Sequence, residues 1–431
     1  MRDYIPFVSL STGGMKGSDM VIFETATNDI FDAHVLDNFY AGPIRDNCQN
    51  WKLTSSTVDE NGGFIIFEVT RLLDTGDSFD RAIVDDSDVF VPPHRVIAAW
   101  GDTETMSYHG LDNRVRSSIR LHPRQGGSDE SETAAFQKSM GEESEGNFEL
   151  RAVDYAVKPI VTEYVNFCFT NTDLVRLGMP ANADLHVVGI EPVIDQDSKA
   201  FVHHFVLTAS ESPHEEASAS QEACDAVEDT ETAYSWAPDE GPFTLPLNVG
   251  GPLGTAGFQS YKLEIHYDNP SLSTGALDSS GVRMFYSSQK REFDMGILEL
   301  GDGSVTLAGQ SVIPGDSASG FARHTFECPS SCSSVSLPER VEVIRETLHM
   351  HATGQRMANE QIRDGKVIRQ GAVDFWDFLQ QGDLVVQQPT YSILPGDSFR
   401  TRCYFQSNNE VIWGIASQDE MCMASVYYYP R

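Results

Sequence analysis

The chain has 431 residues, of which 64 are Asp or Glu and 30 are Lys or Arg, so its formal net charge at pH 7 is -34. A chain of this length is expected to form two to four domains, and its negative charge argues against partners such as nucleic acid or anionic membrane surfaces. No apolar run is long enough to span a bilayer, and residues 1–7 lack the apolar core of a signal peptide. We therefore expect a mature or truncated form of a longer protein.

The first predicted domain spans residues 17–125 and is all β. Met20–Phe23, Phe64–Val69 and Arg95–Trp100 are short segments rich in β-branched and aromatic residues, and Asp, Asn and Gly turns separate them. Asp59–Gly63 is a hairpin-type turn signal. This pattern predicts a β-sandwich.

Two acidic stretches of low complexity interrupt the pattern. Residues 126–146 are rich in Gly, Ser and Glu and cannot bury enough apolar area to order themselves, so we predict a linker. The run from Glu211 to Thr232 is predicted to be a long surface loop between two strands. The remaining apolar segments are short and show no sustained helical periodicity, which favours an all-β architecture.

A pair of histidines two residues apart, His349 and His351, is the first candidate metal site. On a β-strand, residues i and i+2 share a face, so both imidazoles can reach one ion. The spacing alone fits a metal site and a polar strand face about equally. Met421 is the candidate third ligand, because two imidazoles with a thioether can hold copper as Cu(I) and as Cu(II).

A second histidine group lies upstream and comprises His203, His204 and His266. Adjacent residues on a regular strand face opposite sides, so His203 and His204 can bind one ion only where the strand ends, twists or bulges. From the residues alone, a structural role is the simpler interpretation of this pair.

Six segments follow one another along the chain: HHFVLT, LEIHYDNP, DSSGVRMFY, FDMGILELG, LHMHATG and DEMCMASVYYYP. Together they resemble the copper type II ascorbate-dependent monooxygenases, and the dopamine β-hydroxylase branch in particular. With their flanks they cover about residues 150–430. The resemblance implies two jelly-roll-like antiparallel sandwiches, which we place at residues 147–308 and 309–431, and a DOMON-type domain at residues 17–125.

The resemblance also implies two unlike copper sites. The first would comprise His203, His204 and His266 and would store and deliver one electron. The second would comprise His349, His351 and Met421, which are therefore candidate catalytic residues as well as ligands. Its copper would bind O2 and meet the substrate, because thioether ligation favours Cu(I). Ascorbate would reduce each copper by one electron.

The substrate is less well defined than the metal sites. Peptide-amidating members have an arginine where this chain has Thr347, and Asn and Tyr where it has Met423 and Ser425, so we do not expect peptide amidation. Tyr428 matches a tyrosine that the dopamine branch keeps near its substrate pocket, although a packed strand aromatic explains it equally well. We expect hydroxylation of a small amine or related aromatic with O2. The alternative is a non-catalytic copper-binding or extracellular interaction protein.

The seven cysteines suit an oxidising compartment, so we expect secretion or the lumen of the secretory pathway. Cys48 has no family counterpart. Cys328 and Cys332 correspond to residues whose family partners lie beyond Arg431, so they pair with each other, stay reduced or indicate a truncated chain. The resemblance implies two bridges, Cys168–Cys224 and Cys403–Cys422.

Other ligands and partners are weaker hypotheses. Some DOMON domains bind haem through Met and His, and His109 with Met15 or Met20 would be the candidates here, but a surface histidine is the better explanation. The acidic loop Asp85–Asp88 could hold an ion, although a solvated turn is simpler. The oligomeric state is left open, and a homo-oligomer is one alternative.

Overall fold

The structure is a computed structural model in which the chain forms two compact units. One comprises residues 1–128 with 373–380, and the other comprises residues 129–372 with 381–431. The described residues are 5–10, 15, 17–36, 42–59, 64–83, 94–101, 113–119, 121–122, 132–214, 231–237, 240–269, 271–303, 310–315, 319–337, 339–373, 376, 378, 391–414 and 418–431.

The first unit is built from β-strands within the described residues. They are β1 (Ile5–Leu10), β2 (Asp19–Glu24), β3 (Asp29–His34), β4 (Ile44–Arg45), β5 (Lys52–Asp59), β6 (Phe64–Thr70), β7 (His94–Gly101) and β8 (Arg114–Ile119). Six of them form one antiparallel sheet in the order β4-β3-β2-β1-β7-β8, and β5 pairs with β6 in a separate hairpin. The three predicted strands coincide with β2, β6 and β7, so these predictions are confirmed.

Alternation along the strands gives the sheet of the first unit two apolar faces. Met20 and Ile22 of β2 are fully buried and pack with Ile97 of β7 on one face. Phe23 lies on the other face, where its ring stacks on Phe67 of the β5–β6 hairpin at 5.2 Å. Residues of β1, β2, β6 and β7 also line a cavity of about 680 Å³ beside this hairpin. His109, the weaker candidate for a haem ligand, and the acidic loop Asp85–Asp88 lie outside the described residues.

A group of buried carboxylates lies beside β2 and β3 in the first unit. The carboxylates of Asp19, Asp32 and Asp80 lie within 4.8 Å of one another. Arg71 forms an ion pair of 2.6 Å with Asp19 and lies 3.8 Å from Asp80. Burial raises the pKa of Asp32 to about 7, and Asp80, Asp19 and Asp46 act in the same direction, while the N–H of Asn50 opposes them. Burial in this group therefore disfavours the charged form of Asp32.

The second unit contains two β-sandwiches. The first comprises α1 (Glu132–Glu143), β9 (Gly146–Arg151), β10 (Tyr155–Ala156), β11 (Thr162–Phe169), α2 (Asn171–Leu177), β12 (Asp184–Val193), β13 (Val202–Ser210), β14 (Glu231–Trp236), β15 (Phe243–Thr244), β16 (Val249–Gly254), β17 (Ser260–Asp268), β18 (Leu277–Asp278), β19 (Gly281–Ser287) and β20 (Phe293–Asp294). The sheet β11-β17-β13-β14 packs on the sheet β20-β16-β12-β19-β9, and apolar side chains of both sheets fill the core between them.

The second sandwich follows directly. It comprises β21 (Gly296–Gly301), β22 (Ser311–Ile313), β23 (Phe321–Cys328), α3 (Ser330–Ser336), β24 (Val341–Met350), β25 (Gly354–Arg363), β26 (Lys366–Val373), β27 (Ser392–Ile393), β28 (Ser398–Gln406), β29 (Val411–Ile412) and β30 (Cys422–Tyr429). Its main sheets have the orders β21-β30-β24-β27 and β23-β28-β25-β26. The all-β prediction is confirmed.

The boundary between the sandwiches lies earlier than predicted. We predicted that the first sandwich ends at residue 308, but β21 pairs with β30 along its whole length, from Gly296 opposite Tyr428 to Gly301 opposite Met423. The first sandwich ends with β20, which pairs with β16. The chain therefore passes from the first sandwich to the second at Met295, because a strand belongs to the sheet whose strands it hydrogen-bonds with.

The predicted linker 126–146 is partly wrong, because residues 132–143 within it form the helix α1. Phe136 and Met140, one turn apart, are buried against Val188 and Phe285 of the first sandwich. A side chain at Gly189 would come within 2.5 Å of the Met140 sulfur, so the helix approaches β12 at a residue without a side chain. Two apolar residues at the helical i, i+4 spacing therefore pack this acidic segment against the first sandwich.

The cysteines follow the expected pattern where the structure describes them. Cys403 on β28 and Cys422 at the start of β30 form a disulfide, as predicted. Cys168 is also disulfide-bonded, and its predicted partner Cys224 lies outside the described residues. Cys328 and Cys332 are thiols, and burial together with a hydrogen bond to Cys332, which favours the protonated form, raises the pKa of Cys328 to about 12. Among the described residues, no helix has the length and apolarity needed to cross a membrane.

Candidate metal centre

A β-bulge brings the adjacent residues His203 and His204 to the same site. In the pairing of β13 with β17, Val202 lies opposite Tyr267 and His204 lies opposite His266, so the register shifts at His203. The extra residue of a bulge breaks the alternation of side chains, which lets two consecutive side chains converge. The sequence analysis required a strand end, a twist or a bulge for both histidines to reach one ion, and the structure has a bulge at this position.

The three upstream histidines form a compact group. One ring nitrogen from each of His203, His204 and His266 lies within 4.8 Å of the other two. The Nδ1 atoms of His203 and His204 are 3.0 Å apart, and Nδ1 of His266 is 3.4 Å from that of His204. Thr162 on β11 contacts Nε2 of His266 at 2.6 Å, and the Tyr164 ring stacks on the same imidazole at 4.4 Å. These two contacts fix the His266 ring with Nδ1 towards the other histidines.

The second histidine group lies at the end of β24. The rings of His349 and His351 are 5.1 Å apart and nearly perpendicular, as the two-residue spacing predicts. Nδ1 of His351 is 3.2 Å from the carbonyl oxygen of Asp419, and because that oxygen only accepts, the hydrogen is on Nδ1 and the lone pair is on Nε2. Met421 lines the same cavity as both histidines. The Cys403–Cys422 disulfide holds the residue next to Met421 against β28.

Glu420 is a residue of this group that the sequence analysis missed. It is fully buried, and its carboxylate accepts the backbone N–H groups of His351, Thr353 and Met421 and the hydroxyl of Thr353. Burial raises the pKa of Glu420 to about 7 against these hydrogen bonds. Glu420 therefore ties the His351 turn to the segment that carries Met421. Its position beside Met421 was the only signal in the sequence.

Burial favours the neutral imidazole of His204, His266 and His351. Desolvation, and after it the neighbouring imidazoles of His203 and His349, lower the pKa of His266 to about 3. Desolvation likewise places the pKa values of His204 and His351 well below the usual value. A metal ion binds the neutral form of histidine, so these groups offer lone pairs without first losing a proton. Three imidazoles in one group, and two imidazoles with a thioether in the other, fit copper in both oxidation states.

The two histidine groups face each other across one cavity. The rings of His204 in the first sandwich and His349 in the second are 5.7 Å apart. The cavity has a volume of about 260 Å³ and is lined by His204, His349, His351 and Met421 together with acidic and apolar side chains of both sandwiches. All six residues predicted as metal ligands therefore lie in or beside one region of the second unit.

Tyr428 is not among the residues that line this cavity, and the catalytic role predicted for it stays a prediction. Met421, Met423 and Ser425 of the β30 segment line the cavity at alternate positions. Tyr428 is out of phase with them and lies opposite Gly296 of β21, where a Cβ atom would come within 2.8 Å of its ring. Tyr427, two residues after Ser425, continues this alternation, and its hydroxyl contacts Ser235 at 3.2 Å.

Comparison with known proteins agrees with this geometry. Residues 152–274 match the N-terminal domain and residues 293–431 the C-terminal domain of the copper type II ascorbate-dependent monooxygenases. The chain is 29% identical over 448 residues to DBH-like monooxygenase protein 1 of Homo sapiens, which covers 99% of this chain and 68% of that protein. It is 31% identical to tyramine beta-hydroxylase of Caenorhabditis briggsae over 57% of this chain and 42% of that protein. It is 27% identical to dopamine beta-hydroxylase of Bos taurus over 97% of this chain and 66% of that protein. The two histidine groups lie within the matched domains, and the chain belongs to the copper type II ascorbate-dependent monooxygenase family.

Proposed function

We propose that this protein is a copper- and ascorbate-dependent monooxygenase that hydroxylates a C–H bond of a small amine with O2. The observation that carries this proposal is the cavity that joins His204 of one histidine group to His349, His351 and Met421 of the other. A substrate in this cavity would lie beside both groups at once. The overall reaction consumes O2, two electrons and two protons and gives an alcohol and water.

The ligand assignment follows from the two groups. His203, His204 and His266 would hold one copper ion, and His349, His351 and Met421 would hold the other. When bound, copper supplies the one-electron exchange with ascorbate and the reaction with O2 that amino-acid side chains lack. The protein orients the ligands: Thr162 and Tyr164 fix His266, and Glu420 and the Asp419 carbonyl fix His351.

The walls of the cavity fit a substrate with a positive charge and an apolar body. Glu264 lies two residues before His266 on β17 and therefore on the same strand face, and Glu299 of β21 lines the cavity as well. Trp236 and Phe205 supply aromatic surface. A protonated amine would form charge-assisted hydrogen bonds with these carboxylates, while its hydrocarbon part packs on the rings.

The test of the proposal combines metal loading with turnover. The purified protein should bind two copper ions per chain and consume O2 with ascorbate when tyramine or dopamine is added. The hydroxylated product should carry one oxygen atom from isotopically labelled O2. Binding of copper without O2 consumption would contradict the proposal and support the non-catalytic alternative.

Variants of the cavity test the substrate class separately. Glu264→Gln and Glu299→Gln should raise the KM for tyramine by about tenfold, since a charged hydrogen bond is worth about 1.5 kcal/mol or more. The KM for 4-ethylphenol, which has no amine, should not change. Glu327→Gln, at an exposed carboxylate on β23, is the control and should not affect either substrate. Equal effects on both substrates would argue against an amine contact.

We also propose that the protein acts in an oxidising compartment and that its first unit is a DOMON-type sandwich. The Cys403–Cys422 bridge supports the first point, because disulfides persist in secreted and lumenal proteins. Mass mapping of the protein isolated from its source should find Cys403 and Cys422 oxidised.

A further inference from the structure

A buried ion pair joins the two sandwiches beside the cavity. Arg345 of β24 and Glu240 of the segment after β14 contact each other at 2.5 Å, and each side chain is 8% exposed. Glu240 also lines the cavity. A buried ion pair contributes little net stability, because the loss of hydration offsets the attraction, but each charge left without its partner is costly. The pair therefore specifies geometry more than it adds stability.

On the first sandwich, Glu240 is fixed to the strand that carries His204. The indole N–H of Trp236 donates to the carbonyl oxygen of Glu240 at 3.0 Å, and the N–H of Ala237 donates to its carboxylate at 3.2 Å. The Trp236 ring stacks at 4.7 Å on Phe205, the residue that follows His204 on β13. A displacement of Glu240 would thus be transmitted to β13.

On the second sandwich, Arg345 lies on the strand that leads to His349. From Arg345 to Met350, β24 pairs with β30 in regular register, so these residues move as one rigid segment. Three aromatic rings surround the guanidinium: Tyr427 and Phe243 at 5.1 Å and Tyr234 at 5.8 Å. Two of the rings belong to the first sandwich and one to the second. Arg345 is therefore held from both sides of the interface.

We propose that the Arg345–Glu240 ion pair is the positioning element that sets the spacing between the two histidine groups. This inference rests on the proposed function for its catalytic consequence and for the copper ions that report the spacing. Apolar contacts between the sandwiches tolerate a small slide, because they have no preferred direction. A desolvated ion pair does not, since a shift that separates the charges leaves both of them buried without a partner. The pair thereby keeps His204 opposite His349.

Two single variants and a matched control test the spacing. Glu240→Gln keeps the size of the side chain but removes its charge, and Arg345→Met removes the guanidinium. The control is Arg283→Met, because Arg283 pairs with Glu149 and Glu191 within a single sheet of the first sandwich. Spacing is measured in two ways: by small-angle X-ray scattering of the metal-free chain, and by the magnetic coupling of Cu(II) ions bound at the two groups.

Both interface variants should give a larger radius of gyration and weaker Cu(II)–Cu(II) coupling than the parent, whereas Arg283→Met should match the parent. Hydroxylation should fall about 100-fold or more in the interface variants, because a displacement of even about 1 Å between reacting groups can cost this much. Parental scattering and coupling in a folded Glu240→Gln protein would overturn the proposal.

A double variant keeps the test decisive if a single variant does not fold. Glu240→Leu with Arg345→Met leaves no lone buried charge, so it should fold, and it should show weakened coupling. Parental coupling in this variant would overturn the proposal as well. Failure of the proposed function gives a different result, because the parent protein would then bind no copper, or would bind two coupled copper ions without turnover. The scattering comparison does not need copper and would still test the ion pair.

Discussion

The carboxylate of Glu420 accepts the backbone N–H of His351 at 2.9 Å and that of Met421 at 3.2 Å, so one side chain holds two predicted metal ligands of the same group. His351 follows β24, which ends at Met350, and Met421 precedes β30, so neither predicted ligand lies within a strand of the sheet. Their relative position therefore depends on this carboxylate and on the neighbouring disulfide.

Removal of the Glu420 carboxylate should weaken copper binding at one group only. Glu420→Ala should lower copper affinity at His349, His351 and Met421 by about 10–100-fold, the usual effect of losing a group that orients metal ligands. Affinity at the three-histidine group should not change. Copper titration followed by EPR resolves the two sites, and Glu327→Gln is the control. Equal loss at both groups would indicate general destabilisation instead.

Removal of the Cys403–Cys422 bridge should destabilise the second sandwich. The cysteines are separated by 19 residues, and closing a loop of this size stabilises a protein by about 3 kcal/mol in the loop-entropy model. The double variant Cys403→Ala, Cys422→Ala should show this loss in urea unfolding and should release copper from the Met421 group first. Cys48→Ala, at an exposed thiol, is the control. Detection of Cys403 or Cys422 as a free thiol in the oxidised protein would refute the prediction.

Variants of the two groups should fail in different ways if the proposed function is correct. Met421→His exchanges a thioether for an imidazole and shifts the preference away from Cu(I), so copper should still bind while hydroxylation falls by orders of magnitude. His266→Ala should leave the Met421 group intact but deprive the reaction of its second electron. Single-turnover experiments with pre-reduced protein separate these outcomes. Near-parental turnover of Met421→His would show that the sulfur has no special part in the chemistry.

The first unit should become less stable as the pH rises through neutrality. Burial raises the pKa of Asp32 from 3.8 to about 7, so the folded state favours the protonated carboxyl. This contribution to stability is fully present below the unfolded pKa and is lost as the pH rises through the folded pKa, by at most about 3 kcal/mol between pH 5 and pH 8.

Differential scanning calorimetry at these two pH values checks the prediction. Asp32→Asn should reduce the pH dependence of the melting temperature of the first unit. Asp29→Asn, at an exposed carboxylate, is the control and should leave that pH dependence unchanged. A parent protein whose melting temperature rises from pH 5 to pH 8 would contradict the assignment.

The sequence indicated the candidate metal ligands better than it indicated the residues that hold them in place. Strand alternation predicts that His349 and His351 share a face, and the resemblance correctly placed Cys403 with Cys422. The sequence alone did not predict the bulge at His203 and could only require a strand end, a twist or a bulge there. A bulge depends on the register in which β13 pairs with β17 and not on local propensity. Glu420 could not be found either, since its role arises from a turn that folds back on His351.

The errors in the prediction have physical causes as well. Phe136 and Met140 are the only large apolar residues in a polar stretch, and average composition hides such a pair until its partners Val188 and Phe285 are known. β21 was assigned to the wrong sandwich, because strand pairing over long sequence separations leaves no local signal. Arg345 and Glu240 are far apart in the chain, and nothing in either flank indicates that they meet.

Helix α1 has a practical consequence for any attempt to produce the second unit alone. A shortened protein that starts at Gly146 would keep every strand of both sandwiches but would uncover Val188 and Phe285, which are 0% and 5% exposed beneath the helix. Newly exposed apolar surface of this kind promotes self-association. The shortest version that remains monodisperse at high concentration should therefore begin before Glu132, even though the residues gained are acidic, of low complexity and outside both matched domains.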